Sequence, residues 1–177
     1  MTSSHFEQRT AETIDTWYTP EWVLDLVRQG FGGITLDPAT DASNPTRALL
    51  ALTEADNGLV YDWAELLPHE FGDVVWINPP YGRALMRWAR KVVSEAPALF
   101  NHHMFVLAPS RTETEWFGTL FDSAQAVAFF RDRIRFWHPS KTGKDSPAFP
   151  NALFYLGPSP YVFERTFAEA ARVVKLK

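Results

Sequence analysis

Two features that define large classes of proteins are missing from this sequence. The 177-residue chain has no cysteine, which excludes disulfide bonds, thiolate nucleophiles and cysteine-based zinc sites and is compatible with a reducing compartment. It also has no apolar run long enough to cross a bilayer, and no signal-like start that is first charged and then apolar. We therefore expect a cytoplasmic protein that contacts no membrane.

Further absences narrow the kinds of ligand. The sequence has no glycine-rich dinucleotide fingerprint and no phosphate-binding glycine loop. Its five histidines show no metal-ligand spacing, so we expect no metal site. The net charge of −4 excludes a broadly basic surface for nucleic acid but allows a local basic patch.

The composition and patterning are those of a globular α/β protein. Hydrophobic residues make up 46% of the chain, which is enough for a sizeable core. Residues 1–15 predict a flexible N-terminal arm and residues 16–177 a single domain. Apolar runs predict strands at 34–36, 49–53, 73–77, 103–108, 126–130 and 151–156. Periodic segments predict helices at 20–30, capped by Thr19 and closed by Gly30, and at 85–96, 113–122 and 161–174.

Strands that alternate with helices predict a doubly wound, mainly parallel sheet. Polar groups directly follow three of the predicted strands, at Asp37, at Asn78 and at Ser110–Arg111. The carboxyl ends of parallel strands lie at one edge of a sheet, and ligands bind there in open α/β folds. The three groups therefore predict one shared site.

The stretch VVWINPPYGR, residues 74–83, ends a strand on an asparagine and two prolines. Prolines cannot continue a hydrogen-bond ladder, and they fix the geometry of the turn. The Asn78 carboxamide oxygen and the Pro79 backbone carbonyl offer two acceptors to the N–H groups of a planar exocyclic amino group, which frees the nitrogen lone pair for attack. Tyr81 can stack on the ring that carries the amino group, and Gly82 lets the chain pass closely. The same residues are also typical of a plain turn, and that alternative stays open.

Six blocks in chain order, WYTP, LDPATDASN, DNGLVYDW, WINPPYG, LAPSRTETEWF and RIRFW, resemble the phage-type DNA N6-adenine methyltransferases. The resemblance extends from Trp17 to Leu156. It implies a Rossmann-like class I methyltransferase fold, S-adenosyl-L-methionine as cofactor and double-stranded DNA as partner, in a bacterial or phage-infected host cytoplasm. The NPPY block is shared with cytosine-N4, RNA and protein-glutamine methyltransferases, and the flanking blocks narrow the match.

The resemblance also implies site residues. Its catalytic motif falls on Asn78, Pro79, Pro80 and Tyr81. The cofactor-binding candidates are Trp17, Tyr18, Thr19, Pro20, Asp37, Pro38, Ala39, Asp56, Gly58, Leu59, Asp62 and Asn78. Glu54, Asp56 and Asp62 remain alternatives for contacting the ribose hydroxyls or the adenine amino group. Asp37, which lacks the usual glycine-rich turn after it, can instead cap its own turn, and residues 56–58 can form a tight turn without a ligand.

Residues 131–144, RDRIRFWHPSKTGK, hold five basic residues against one Asp, a local charge of +4. Attraction to DNA phosphates needs a local patch of this kind, and Phe136 and Trp137 can wedge or stack while a base is flipped out. The alternative is a solvated loop whose aromatic residues pack onto the core. The DNA-binding candidates are Arg83, Arg87, Arg111, Arg133, Arg135, Trp137, Lys141 and Lys144. Specificity then comes from this loop, the N-terminal arm or a homodimer partner.

We interpret the chain as a DNA adenine-N6 methyltransferase that transfers a methyl group from S-adenosyl-L-methionine to the exocyclic amino group of a flipped-out adenine. Cytosine-N4 methylation is the nearest alternative, because cytosine presents the same kind of amino group. A second alternative is a non-catalytic module that binds DNA or the cofactor, although a pure binder does not need both acceptors of the NPPY turn.

Overall fold

The computed structural model describes residues 17–137 and 149–177. Within these ranges the helices are α1 (Glu21–Phe31), α2 (Leu85–Glu95), α3 (Glu115–Ser123) and α4 (Pro160–Phe167). The strands are β1 (Ile34–Asp37), β2 (Leu50–Ala51), β3 (Val74–Ile77), β4 (His103–Pro109), β5 (Ala126–Phe130), β6 (Asn151–Leu156) and β7 (Ala171–Lys175). The predicted arm at residues 1–15 and the DNA-binding candidates Lys141 and Lys144 lie outside the described residues.

The strands form one mixed sheet in the order β2-β1-β3-β4-β6-β5-β7. From β2 to β4 all neighbours are parallel, whereas β6 is antiparallel to both β4 and β5, and β7 is antiparallel to β5. The expectation of a mainly parallel sheet therefore describes only one half. The reason lies in the connection between β5 and β6, which contains no crossover helix in its described part, so that β6 returns beside β5 in the opposite direction.

Helices cover both faces of this sheet. Alternate residues of β4 point to opposite sides: Val106 belongs to the cluster that packs against α2 and α3, and Phe105 to the cluster that contains residues of α1 and α4. The helices follow from their amphipathic patterns, since α2 buries Leu85, Trp88, Ala89 and Val92 along one face. The two-sided core holds the sheet, and thus the loops at its edge, in place.

Helix α1 begins and ends differently from the prediction. Pro20 occupies the N-cap position with extended backbone, and no side chain caps the helix. The Thr19 hydroxyl is buried and has no hydrogen-bond partner among the described residues, so the prediction that Thr19 caps α1 is wrong. At the other end the chain turns at Gly32, with φ of 97°, and not at Gly30. Gly30 instead permits close packing, because a Cβ there would lie 2.5 Å from the Thr166 hydroxyl of α4.

The predicted secondary structure differs most from the observed one in the C-terminal segment. The helix predicted at 161–174 ends at Phe167, and residues from Ala171 form an additional strand. The segment Ala171–Lys175 contains two valines and pairs with β5 along its whole length, and such sheet pairing overrides a weak helical pattern. The strands predicted at 126–130 and 151–156 have the observed bounds. In the part of the chain that is described, no helix has the length and apolarity needed to span a bilayer.

Candidate active site at the carboxyl ends of β1, β3 and β4

The three polar groups predicted to meet do lie at one edge of the sheet. Strands β1, β3 and β4 are neighbours and run parallel. Asp37 is the last residue of β1, and Asn78 and Ser110 directly follow β3 and β4, so all three lie at the same ends of adjacent strands. Antiparallel pairing brings a further residue to this edge, because Asn151 at the start of β6 lies opposite Pro109 at the end of β4. The topology thus produces one polar rim from distant parts of the sequence.

The Asn78 carboxamide is held at both of its polar atoms. Its Nδ2 donates a hydrogen bond to the backbone carbonyl oxygen of Trp17 at 3.1 Å. Its Oδ1 accepts a hydrogen bond from the Tyr81 hydroxyl at 3.1 Å. One partner requires a donor and the other an acceptor, so together they fix which way the amide faces. The Asn78 side chain is therefore oriented by the WYTP block and by the tyrosine of its own NPPY block.

Tyr81 packs into an aromatic surrounding. Its ring lies 5.6 Å from that of Phe149 and 6.4 Å from that of Phe136. Its hydroxyl accepts a hydrogen bond from Asn151 Nδ2 at 3.4 Å, and burial raises the pKa of Tyr81 well above its ordinary value. Beside it is a cavity of about 110 Å³ lined by Tyr81, Gly82, Leu85, Pro109, Arg111, Trp116 and Phe149.

The WYTP block joins the NPPY turn to two other segments. Tyr18 pairs with Trp137 through two backbone hydrogen bonds of 2.9 and 3.1 Å, and the two rings meet edge to face at 4.7 Å. The Tyr18 hydroxyl donates to Asp41 Oδ2, and Ser43 Oγ donates to Asp41 Oδ1 at 2.6 Å. The WYTP block thus connects the NPPY turn to Trp137 and to the segment that contains Asp41.

Asp37 is buried at the end of β1 and caps its own turn. Its Oδ1 accepts from the Ala39 backbone N–H at 3.1 Å, and its Oδ2 accepts from the Thr46 hydroxyl at 2.8 Å. Burial raises the pKa of Asp37 to about 7, with a smaller contribution from the nearby Asp41 charge, against the opposing hydrogen bonds from Thr46 and Ala39. The capping role left open by the sequence is therefore present in the structure.

Gly58 brings the DNG segment directly against the DPAT segment. A Cβ at Gly58 would lie 2.0 Å from the Pro38 carbonyl oxygen, a distance that no side chain can occupy. The Trp63 indole Nε1 donates to the Gly58 carbonyl at 2.8 Å and fixes this contact from the other side. Leu59 packs against the core that lies on the α2 and α3 face. Two groups of predicted cofactor residues are therefore neighbours.

The acidic candidates of this region face solvent. Asp56 accepts from both the backbone N–H and the hydroxyl of Thr53 at 2.8 Å, and these bonds lower the pKa of Asp56. Asp62 accepts from the Ala64 backbone N–H at 3.0 Å, and Glu54 is exposed. Asp56 and Asp62 thus stabilise their own turns, as the plainer alternative held for Asp56.

The arginines predicted to contact DNA are exposed. This holds for Arg83, Arg87, Arg111, Arg133 and Arg135. After β5 the chain alternates, with Arg133 and Arg135 outward and Ile134 and Phe136 buried in the core. The prediction that Phe136 wedges into DNA is therefore wrong, because its side chain is 2% exposed, whereas Trp137 is 47% exposed.

Comparison with known families identifies the chain. The family described as DNA N-6-adenine-methyltransferase (Dam) matches residues 7–171. The chain belongs to this family. No curated protein matches it.

The Dam family match covers every described residue of the rim. Dam family membership implies DNA adenine N6 methyltransferase activity in general, and methyltransferase families generally depend on S-adenosylmethionine. In residues 17–137 and 149–177 no group of three or more histidine, cysteine, aspartate or glutamate side chains is arranged to hold a metal ion.

Three residues at this edge of the sheet were not predicted from the sequence. Trp116 and Phe149 line the cavity beside Tyr81, and Asn151 contacts its hydroxyl. Trp116 was hidden in the pattern of an amphipathic helix. Asn151 left one signal, because it is the one amide side chain in the otherwise apolar and aromatic strand segment NALFYL.

Proposed function

We propose that the protein transfers a methyl group from S-adenosyl-L-methionine to the exocyclic amino group of an adenine that is flipped out of double-stranded DNA. We further propose that its core is the doubly wound, Rossmann-like arrangement of class I methyltransferases. The observation that carries the proposal is the Asn78 carboxamide, held by Trp17 and Tyr81 at the end of β3.

Asn78 and Pro79 supply the two acceptors that the reaction needs. The amino nitrogen of adenine is a poor nucleophile because its lone pair is delocalised into the ring. Hydrogen bonds from its two N–H groups to Asn78 Oδ1 and the Pro79 carbonyl favour a pyramidal nitrogen with a localised lone pair. The anchored Nδ2 means that little reorganisation of Asn78 is left to the reaction step. A carboxamide cannot take up a proton, so the proton that the nitrogen loses after methylation leaves to water.

The rim residues fit the cofactor that the family implies. When bound, S-adenosylmethionine supplies a methyl group on positively charged sulfur. The buried Asp37 carboxyl, whose pKa is raised to about 7, gains a compensating interaction from a nearby cation. The buried and unpartnered Thr19 hydroxyl is available to a polar ligand group. We assign the cofactor to the residues from Trp17 to Pro20, the turn from Asp37 to Ala39, and the adjacent Gly58 segment.

The aromatic cavity supports a site for the extruded base. The aromatic rings of Tyr81, Trp116 and Phe149 line the cavity together with Arg111. The Tyr81 hydroxyl connects this cavity to Asn78. Flipped bases are held by stacking between aromatic side chains and by polar contacts to their edges. The exposed arginines of the rim, Arg83 among them, supply contacts to the DNA backbone.

Nucleoside analysis tests this proposal. The protein is incubated with S-adenosylmethionine labelled in the methyl group and with double-stranded DNA of mixed sequence, and the digested nucleosides are separated. We expect label in N6-methyladenine. Label in N4-methylcytosine would contradict the assigned base, and label no greater than background would favour a binding module without catalysis.

A matched pair of variants connects the activity to the site. Asn78→Ala removes the proposed acceptor, and we expect transfer to be largely lost, by far more than cofactor binding weakens through the lost hydrogen bond to Trp17. Asn101→Ala is the control, because Asn101 is exposed and precedes β4, at the opposite edge of the sheet. Equal activity of Asn78→Ala and the wild type would contradict the role of Asn78.

A further inference from the structure

Asn151 is a buried polar residue whose hydrogen bonding is incomplete. Its side chain is 2% exposed, and its Nδ2 donates to the Tyr81 hydroxyl at 3.4 Å. Its Oδ1 is buried and has no hydrogen-bond partner in the ranges that the structure describes. A buried acceptor without a donor destabilises a protein, so such a group calls for a functional explanation.

The Tyr81 hydroxyl is hydrogen-bonded to Asn78 Oδ1, the oxygen that the proposed reaction uses as an acceptor. It donates its single hydrogen to Asn78 Oδ1, which is the acceptor assigned to the amino group of the base. The hydroxyl stays protonated at ordinary pH, because burial raises the pKa of Tyr81. Asn78 Oδ1 has two lone pairs, so when the amino group arrives the oxygen either accepts from both donors, with the hydroxyl kept close to the base, or the hydroxyl turns to another acceptor.

Asn151 is placed to provide that acceptor. Like Asn78, its side chain contacts the Tyr81 hydroxyl, and it carries an oxygen with no donor among the described residues. A half-turn of the Asn151 carboxamide presents this oxygen to the hydroxyl without any change of the backbone. The backbone itself is fixed here, because Asn151 lies opposite Pro109 in the β4–β6 ladder and Ser110 N donates to the Pro150 carbonyl at 2.8 Å.

We propose that Asn151 is a positioning residue for methyl transfer, which accepts the Tyr81 hydroxyl when the amino group of the base takes its place at Asn78. The inference rests on the proposed function, since it concerns the same acceptor. It assigns to Asn151 no contact with the reacting atoms. The residue acts through Tyr81, and its effect therefore depends on the presence of the tyrosine hydroxyl.

A double-mutant cycle on the full-length protein tests this dependence. Asn151→Ala, Tyr81→Phe and the double variant are compared in steady-state methylation of the same DNA. We expect Asn151→Ala to lower kcat about tenfold, the effect of one lost hydrogen bond, with little change in the KM for DNA. In the Tyr81→Phe background the same change should have little further effect, because no hydroxyl remains to be held.

Two controls separate positioning from folding. Tyr155→Phe also removes a buried hydroxyl, but this hydroxyl contacts His103 and Ser159 away from the rim. When Tyr155→Phe is combined with Asn151→Ala, the fold-change in kcat should equal the product of the two single fold-changes. Asn151→Asp keeps the shape of the side chain. Its carboxyl keeps an acceptor for the Tyr81 hydroxyl and accepts more strongly once it ionises, so activity relative to wild type should rise as the pH rises and the carboxyl ionises.

The outcomes distinguish the two proposals. An inactive wild type would refute the proposed function itself. Three results with an active wild type would each overturn the role of Asn151. They are a full multiplicative loss in the double variant, an unchanged kcat in Asn151→Ala, and a ratio of Asn151→Asp to wild-type activity that does not rise with pH. If Asn151→Ala does not fold, the pH dependence of Asn151→Asp decides alone.

Discussion

The side-chain Nδ2 of Asn78 donates to the backbone carbonyl of Trp17 across 61 residues of sequence, at 3.1 Å. This hydrogen bond joins the NPPY turn to the WYTP block, which is itself paired with Trp137. Three segments that look like independent turns and loops in the sequence therefore form one unit. A substitution in any of the three segments should therefore alter how the Asn78 side chain is held.

Tyr18→Phe should loosen the WYTP block. The substitution removes the hydroxyl that donates to Asp41 Oδ2. A hydrogen bond to a charged acceptor contributes about 1.5–3 kcal/mol, so the free energy of unfolding in urea should fall by that order, and the KM for S-adenosylmethionine should rise. Tyr161→Phe is the matched control, because Tyr161 is 69% exposed, and its free energy of unfolding should stay within about 0.5 kcal/mol of wild type. Equal behaviour of the two variants would contradict the bridging role.

Gly58→Ala should disrupt the contact between the DNG and DPAT segments. The new Cβ would lie 2.0 Å from the Pro38 carbonyl oxygen, so the backbone must move apart at the proposed cofactor site. We expect the affinity for S-adenosylhomocysteine, measured by calorimetry, to fall at least about tenfold, a loss of roughly 1.4 kcal/mol. Gly33→Ala, whose Cβ would meet nothing within 4 Å, is the control and should bind normally. Retained affinity in Gly58→Ala would exclude this segment from the cofactor site.

The combined Arg133→Ala and Arg135→Ala variant should bind DNA more weakly and with a smaller salt dependence. Both arginines are exposed on the segment that ends at Trp137. Each phosphate contact contributes about 0.9 to the slope of log affinity against log salt, so losing both should reduce the slope by about 1.8. Lys177→Ala, beyond the end of β7, removes a charge elsewhere and should leave the slope unchanged. An unchanged slope in the arginine variant would place DNA on another surface.

Asp37 should make stability depend on pH in an unusual direction for an aspartate. Its pKa rises from 3.8 in the unfolded chain to about 7 in the fold, chiefly through burial. Below pH 3.8 the carboxyl is protonated in both states, and its stabilising contribution is lost as the pH rises towards and through 7, because ionisation is then less favourable in the fold.

The variant Asp37→Asn isolates this dependence. It cannot ionise, so its free energy of unfolding relative to wild type should increase between pH 4 and pH 8 by an amount on the order of a few kcal/mol. Urea denaturation at several pH values checks this. A difference between variant and wild type that does not change with pH would show that Asp37 ionises as easily in the fold as in the unfolded chain.

Much of the scaffold was predictable because its signals are local. The strands at Ala126–Phe130 and Asn151–Leu156 are short apolar runs between turn residues, and their bounds agree with the prediction. The segment Ala171–Lys175 was predicted as helix, because its strand structure depends on pairing with β5, which no local pattern reveals. The direction of β6 was missed for the same reason.

In the candidate site, too, the features that follow from local sequence were predicted, and those that depend on long-range contacts were not. The meeting of Asp37, Asn78 and Ser110 followed from the rule for parallel strand ends and is present. The bond from Asn78 to Trp17 and the contact of Asn151 with Tyr81 depend on how loops fold over the rim. Phe136 was assigned to DNA by its basic neighbours, although the alternation of Arg133, Ile134 and Arg135 places every second residue inward.

The proposed reaction is tested most directly by identifying the base that becomes methylated and measuring whether its methylation depends on Asn78. Double-stranded DNA is incubated with labelled S-adenosylmethionine and either the wild type, Asn78→Ala or the control Asn101→Ala, and the nucleosides are then analysed. We expect N6-methyladenine from the wild type and Asn101→Ala, and almost none from Asn78→Ala. N4-methylcytosine as the product, or equal methylation by all three proteins, would contradict the proposed reaction.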